Sequence, residues 1–161
     1  MSTRGHLDQA LEVRKALLDL QKQMLGQLKE EFEKENAREV APAEWLQVLM
    51  MSQRYAWLRD LTTLIADIDM LTELEQVDDE QASVTRSEIE RMIFAADDSD
   101  SDFAKQYKRL LKAATHIMLP HGKLKSTISP LPEKKHHVDA AATHRKNWHE
   151  AHRAQARKKR N

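Results

Sequence analysis

Histidine is the residue type of this chain with the widest choice of chemistry, and five of the eight histidines lie beyond residue 133. Imidazoles at these positions could bind a metal ion or titrate near neutral pH. His149 and His152 flank a glutamate as in a zinc-protease motif, but the second histidine comes one residue too early for it. We therefore interpret the histidines as part of a basic, weakly pH-sensitive tail and predict neither a metal site nor any other cofactor. The five are His136, His137, His144, His149 and His152.

Carboxylates form the second group of candidates. Residues 67–102 contain 13 acidic side chains and only two basic ones. Asp67, Asp69 and Glu73 lie near one another on a predicted helix, and two neighbouring acids can perform acid–base chemistry. The simpler interpretation is a solvated helix surface. The run Asp97–Asp102 lacks the glycine and the final glutamate of an EF-hand loop, so it would bind calcium only weakly.

The formal net charge of zero conceals a strong asymmetry. Residues 1–132 have 17 basic and 23 acidic side chains, whereas residues 133–161 have 9 basic and 3 acidic ones. Such a basic tail could contact the phosphates of a nucleic acid, and its tryptophan could stack on a base. It could also dock on the acidic surface of its own chain, or serve only solubility. The residues predicted to contact nucleic acid are Arg145, Lys146, Trp148, Arg153, Arg157, Lys158, Lys159 and Arg160.

The composition excludes several classes of site. The chain has no cysteine, which excludes disulfides, thiolate nucleophiles and cysteine-based zinc sites. Its three glycines form neither a phosphate-binding loop nor a nucleophile elbow. No apolar run approaches the roughly 18 residues of a membrane-spanning helix, and the N-terminus lacks the apolar core of a signal peptide. We therefore expect a cytoplasmic protein without a membrane partner.

Helical spacing of apolar residues dominates the first 132 residues. One helix is predicted from Leu7 to Asn36. A second is predicted from Pro42 to Met51; it is apolar nearly all round and should be buried or covered by a partner. A central helix is predicted from Arg54 to Leu71. Thr85 and Glu88 have the spacing of a capping box, which predicts the start of a fourth helix.

Two further helical segments complete the predicted domain. Ser101 or Asp102 would cap a fifth helix that ends at Pro120, and a short helical piece follows. We predict an all-α fold, a single helical bundle of five or six helices within residues 1–132. Residues 133–161 offer little apolar bulk, so we expect this basic tail to be disordered or conditionally helical.

Five short pieces of the sequence, taken together in their order and spacing, resemble a family of small bacterial all-helical proteins. These pieces are KALLD (Lys15 to Asp19), APAEWLQ (Ala41 to Gln47), YAWLR (Tyr55 to Arg59), LIADID (Leu64 to Asp69) and HGKLK (His121 to Lys125). The resemblance covers roughly residues 7–128 and implies a helical domain from a bacterium. It implies no activity, because none is established for that family. Asp60 departs from the family pattern, which favours proline there.

The resemblance also implies three candidate site residues. Arg59, Asp69 and His121 each lie inside a matching piece, and each is an uncommon choice for a protein core. The alternative is that Arg59 and Asp69 are pairing or capping groups that orient helices.

Three functions follow from these observations. The first is a non-enzymatic protein-interaction or adaptor module, which could form a homodimer through exposed parts of the first two helices. The second is a nucleic-acid- or ribosome-associated protein that binds through its basic tail. The third is an enzyme with a site at Arg59, Asp69 and His121.

Overall fold

The computed structural model describes residues 4–94 and 101–160, and within these ranges it contains seven α-helices and no β-strand. The all-α fold class is therefore confirmed. Seven helices are present where five or six were predicted, and the seventh lies in the predicted tail. The helices are α1 (Leu7–Asn36), α2 (Pro42–Met51), α3 (Arg59–Thr72), α4 (Asp79–Ile89), α5 (Asp102–Ala113), α6 (Met118–Ile128) and α7 (Val138–Arg160).

Helix α1 is the long element around which the others pack, and its bounds are those predicted from its apolar spacing. One face of α1 packs against α3 and α6, and α3 in turn packs against α7. The side chains of Val13, Leu17, Leu20 and Met24 are completely buried on that face. Burial of one such side chain contributes about 1.5–3 kcal/mol, so this stripe specifies where α1 sits.

The central segment begins in a different conformation from the one predicted. Residues Gln53–Leu58 form a 3₁₀-helix, and the α-helix starts only at Arg59. In a 3₁₀-helix residues three apart lie directly above one another, so Tyr55 and Leu58 can both point into the core. The hydroxyl of Ser52 caps this turn by accepting a hydrogen bond from the backbone N–H of Arg54 at 3.3 Å.

The predicted start of the fourth helix at Thr85 is wrong, because a capping box seven residues earlier begins it. Asp78 accepts from the backbone N–H of Gln81 at 2.7 Å, and the Gln81 side chain accepts from the Asp78 N–H at 2.9 Å. Both orphan N–H groups are thus satisfied before Thr85 is reached. Thr85 lies inside α4 and donates its hydroxyl to the Gln81 carbonyl at 2.9 Å. Beyond Ile89 the helix widens into a π-helical turn, Glu90–Phe94.

Helices α5 and α6 share the segment that was predicted as one helix ending at Pro120. Ser101 caps α5 as predicted, accepting from the Ala104 N–H at 3.1 Å. The helix ends at Ala113, and Pro120 lies in the first turn of α6. A proline there costs no hydrogen bond, since the first N–H groups of a helix have no partner within it. The predicted run Asp97–Asp102 falls largely outside the described residues.

Residues 133–161, predicted to be disordered or conditionally helical, are helical from Val138 to Arg160. Ala141 and Trp148 of this helix are 0% and 1% exposed and belong to the same core as the other helices. In the described parts of the chain, no helix is long and apolar enough to cross a membrane.

Candidate functional site

One face of α7 carries the side chains that fix it to the bundle. Residues at positions 141, 145, 148, 152 and 155 follow one another at spacings of three or four, which places them on one side of a helix. Ala141 and Trp148 supply the apolar contact, and the polar members bond to acidic side chains or backbone groups of α3, of α4 and of the residues that follow α3. The periodicity is present in the sequence, but only two of its members are apolar, so hydropathy does not mark this side as a core face.

A buried ion-pair network lies between α3, α4 and α7. Asp67 and Glu88 are 8% and 7% exposed. Arg145 bridges them: its Nε donates to Asp67 Oδ2 at 2.6 Å and its Nη1 donates to Glu88 Oε1 at 3.0 Å. His149 Nε2 lies 2.6 Å from the other Asp67 oxygen. Arg91 also pairs with Glu88. Every carboxylate oxygen of the two acids therefore has a cationic or imidazole partner, which buried charges require.

More exposed pairs extend this contact along α7. His152 Nε2 lies 2.6 Å from a carboxylate oxygen of Glu73. Gln155 donates to the Glu73 carbonyl at 2.8 Å and accepts from the Glu75 N–H at 3.0 Å, which satisfies backbone groups at the end of α3. Asp67 and Glu73, two of the three acids considered for acid–base chemistry, are thus partners of the tail helix.

The segment before α7 is held against α4 at His136. Arg91 donates to the His136 carbonyl, and the His136 N–H donates to the Ser87 hydroxyl at 3.3 Å. The ring Nε2 lies 2.9 Å from the hydroxyl of Ser83. Burial lowers the pKa of His136, and the neighbouring Lys134 and His144 lower it further. The ring is therefore neutral at pH 7, the form that binds a metal.

A second surface of different character lies on α1 and α2. Although α2 is apolar nearly all round, Trp45 is its only buried residue. Leu46, Met50 and Met51 are 58%, 67% and 76% exposed. Three partly exposed leucines recur every seven residues along α1. Together with the exposed side chains of α2, these leucines form what we call the α1–α2 face. Its members are Leu11, Leu18, Leu25, Leu46, Leu49, Met50 and Met51.

The α1–α2 face contains a groove with a volume of about 390 Å³. Leu25 of α1 and Leu46, Leu49 and Met50 of α2 line it together with Arg59 of α3. A shallower cavity of about 210 Å³, lined by residues that include Leu46, Met50 and Met51, adjoins it on α2. The two cavities share Leu46 and Met50, so the apolar surface is continuous between them.

Lysines border the α1–α2 face. Lys15, Lys22 and Lys29 each follow a leucine of the α1 stripe by four residues, so they lie beside it on the helix surface. Arg59 lies on the opposite side, at the groove. Within the described ranges none of these four cations forms an ion pair. The face thus combines apolar side chains with a row of positive charges that form no ion pair with the described residues.

The three residues suggested by the family resemblance have separate surroundings. Arg59 borders the groove, Asp69 pairs with Arg14 of α1, and His121 contacts Tyr107 of α5. No hydrogen bond or ion pair in the described part of the chain joins any two of them. Asp69 has the helix-pairing role that was the alternative interpretation.

His121 is a packed ring and not an exposed base. Its Nδ1 lies 2.7 Å from the Tyr107 hydroxyl, and the ring contacts those of Phe94 and Tyr107. Burial lowers the pKa of His121, and Lys125 lowers it further. The Tyr107 hydroxyl donates a hydrogen bond to Nδ1 of the neutral ring, so the pair fixes α6 to α5. His6 is the opposite case: hydrogen bonds to Gln9 and Asp79 raise its pKa.

The predicted nucleic-acid residues of the tail divide into two groups. Arg145 is occupied by Asp67 and Glu88, and Trp148 is buried, so neither faces solvent. Arg153 pairs with Glu150 on the surface of α7. The others are exposed, and the described residues provide no ion pair to them: Lys146, Arg157, Lys158, Lys159 and Arg160.

No protein-family model, curated protein or solved structure shows significant similarity to this chain. The resemblance to small bacterial helical proteins therefore stays a prediction.

Proposed function

We propose that this chain is a non-enzymatic protein-interaction module whose α1–α2 face binds an acidic amphipathic helix of a partner protein. The observation that carries the proposal is the exposure of Leu46, Met50 and Met51 on a helix that is apolar nearly all round. Contiguous apolar side chains in water are unfavourable and are typical of binding surfaces. Methionines suit such a surface because their flexible side chains adapt to a partner.

The chemistry of the partner follows from the shape and the charge of the face. The groove lies between Leu25 of α1 and the apolar side chains of α2, and a groove between two helices is a form that accepts the apolar side of a third helix. The bordering cations Lys15, Lys22, Lys29 and Arg59 favour a helix with acidic flanks. A second copy of this chain is less suited, because it would bring equal rows of lysine to the same interface.

A matched pair of synthetic peptides tests this proposal. Both would carry leucines at positions i, i+3, i+7 and i+10, one with glutamate flanks and one with lysine flanks. We expect the acidic peptide to bind at least about 10-fold more tightly in fluorescence anisotropy, since several charge contacts each contribute a few tenths of a kcal/mol. Met50→Glu should weaken its binding at least about 10-fold, because it places a carboxylate in the apolar groove.

The control for Met50→Glu is Val138→Glu. Val138 is 55% exposed at the start of α7, so this variant makes the same charge change at an exposed apolar side chain outside the α1–α2 face. It should bind the acidic peptide like the unchanged protein. Equal weakening in both variants would contradict the proposed site. If light scattering shows a dimer and Met50→Glu abolishes this dimer, a second copy of the chain occupies the face instead.

A second candidate function, contact with nucleic acid, is supported by the last turn of α7. Arg157, Lys158, Lys159 and Arg160 are exposed there, beyond the residues that fix the helix to the bundle. Deletion of residues 133–161 is an unsuitable test, because it would remove Trp148 from the core. The site of contact on this hypothesis is the terminal basic run alone.

Changing these four residues together to glutamine gives the discriminating experiment. If they bind phosphates, affinity for a single-stranded RNA oligonucleotide should fall, and the slope of log K against log salt should decrease by up to about 3, roughly 0.7 for each phosphate that is no longer neutralised. The matched control changes Lys15, Lys22, Lys29 and Lys34 of α1 to glutamine. An equal change in slope for both variants would indicate only a general charge effect and would reject the tail as the site.

A further inference from the structure

Two histidines and a glutamate from separate elements meet at one edge of the α4–α7 contact. Glu80 belongs to the first turn of α4, His136 to the segment before α7, and His144 to α7 itself. One potential ligand atom of each, a carboxylate oxygen or a ring nitrogen, lies within 4.8 Å of the other two. His144 Nε2 and Glu80 Oε1 are already 3.2 Å apart, close to the roughly 3.3 Å between neighbouring ligands of a tetrahedral zinc ion.

The surroundings of His136 orient its ring. The hydroxyl of Ser83 donates its single proton to the Glu80 carbonyl at 2.8 Å, so it must accept from Nε2 of His136 at 2.9 Å. This hydrogen bond leaves the lone pair of the neutral ring on Nδ1. Metal-binding histidines are usually fixed in this way, by an acceptor that holds the second ring nitrogen. The backbone of His136 is held as well, through Arg91 and Ser87.

We propose that Glu80, His136 and His144 form a binding site for a divalent transition-metal ion, with zinc as the expected ion. Two imidazoles and one carboxylate suit zinc and its neighbours, whereas magnesium and calcium take oxygen ligands. The three ligands leave a fourth tetrahedral position for water. His144 and Glu80 have side chains that are 32% and 49% exposed, so the ion can enter from solvent.

Such an ion would act as a clip between α7 and α4. Without it, this edge of the contact is a partly exposed His144–Glu80 pair, and such pairs contribute little to stability. With it, the segment at His136 and the first turns of α7 are tied to α4 by coordinate bonds. A ligand that binds only the folded state stabilises that state, so zinc should raise the melting temperature.

Titration of the metal-free full-length chain with zinc chloride tests the site. We expect one zinc ion per chain by calorimetry and visible tetrahedral bands when cobalt(II) replaces zinc. His144→Ala should weaken zinc binding at least about 100-fold, more than the 10- to 100-fold typical of removing a partner outside the coordination shell. Ser83→Ala should weaken binding within that smaller range, because it removes only the group that orients His136.

His137→Ala is the matched control, because this histidine adjoins His136 in sequence but its side chain is 77% exposed. It should leave affinity and stoichiometry unchanged. Circular dichroism of each metal-free variant verifies that the fold is retained. Zinc binding that survives His144→Ala but disappears on replacement of His149 and His152 would overturn the proposal, since it would place the ion on the surface of α7. A decrease of affinity in His137→Ala equal to that in His144→Ala would overturn it too.

Discussion

Trp148→Ala is expected to destabilise the protein by about 3–5 kcal/mol, the usual range for removing a large aromatic side chain from a core. Trp148 is 1% exposed and is, with Ala141, one of only two buried residues of α7. Its removal leaves the rest of the helix attached through polar contacts, so α7 should separate from the bundle before the other helices unfold. Urea denaturation followed by circular dichroism measures the change.

Two further variants separate the loss of packing at Trp148 from the effect of a substitution on the surface of α7 and from the effect of the buried indole N–H. Asn147→Ala alters the exposed neighbour and should change stability by less than about 0.5 kcal/mol. Trp148→Phe keeps most of the apolar volume and removes an indole N–H that is buried without a hydrogen-bond partner among the described residues. Because an unsatisfied buried N–H costs about 1–3 kcal/mol, its removal should offset much of the reduced packing. A stability of Trp148→Ala within about 1 kcal/mol of the unchanged chain would contradict the docked position of α7.

The sequence was most informative where apolar residues repeat with helical spacing. Helices α1 and α2 have the predicted bounds because leucine stripes and Pro42 specify them locally. It was less informative where two local signals compete. Asp78–Gln81 and Thr85–Glu88 both have the spacing of a capping box, but the Glu88 side chain is held by Arg91 and Arg145 and cannot also cap.

The position of α7 could not be derived from its own residues. Hydropathy assigns Arg145, His149 and His152 to solvent, although each has a carboxylate partner on α3 or directly after it. The signal that pointed to this arrangement was the opposite charge of residues 67–102 and 133–161. From that signal, docking of the tail on its own acidic surface was one of three alternatives. Charge totals predict that two segments can attract each other, but not which side chains meet.

The candidate sites also differ in how far the sequence predicts them. The exposed apolar face of α2 follows from its composition, because a short helix that is apolar on every side cannot bury all of its apolar surface against one bundle. The group of Glu80, His136 and His144 spans 64 residues of sequence, and no local spacing connects its first member to the others. Arg59, Asp69 and His121 were suggested only by short sequence pieces that resemble a family. Such pieces do not show how far apart these residues lie in the folded chain.

Arg145→Met is expected to cost about 3–5 kcal/mol, the range for removing one partner of a buried ion pair. The variant keeps much of the side-chain volume, so the cost arises from charge. Asp67 retains His149 and Glu88 retains Arg91, but two buried carboxylates are deprived of their shared cation. Arg145→Lys should also destabilise, because one ammonium group does not reproduce the two separate N–H directions that reach Asp67 and Glu88. Urea denaturation provides the measurement.

A rescue experiment shows whether the charges or the packing of Arg145 dominate. Asp67→Asn and Glu88→Gln remove both buried carboxylate charges, and combined with Arg145→Met they should recover part of the stability. Arg91 loses its pairing with Glu88, but its side chain is 35% exposed and can be solvated. Strong non-additivity is therefore expected. Arg153→Met, which breaks only the exposed pair with Glu150, should cost less than about 1 kcal/mol. If Arg145→Met were as mild as Arg153→Met, the network would be solvated in solution, and the attachment of α7 would rest mainly on the apolar contacts of Ala141 and Trp148.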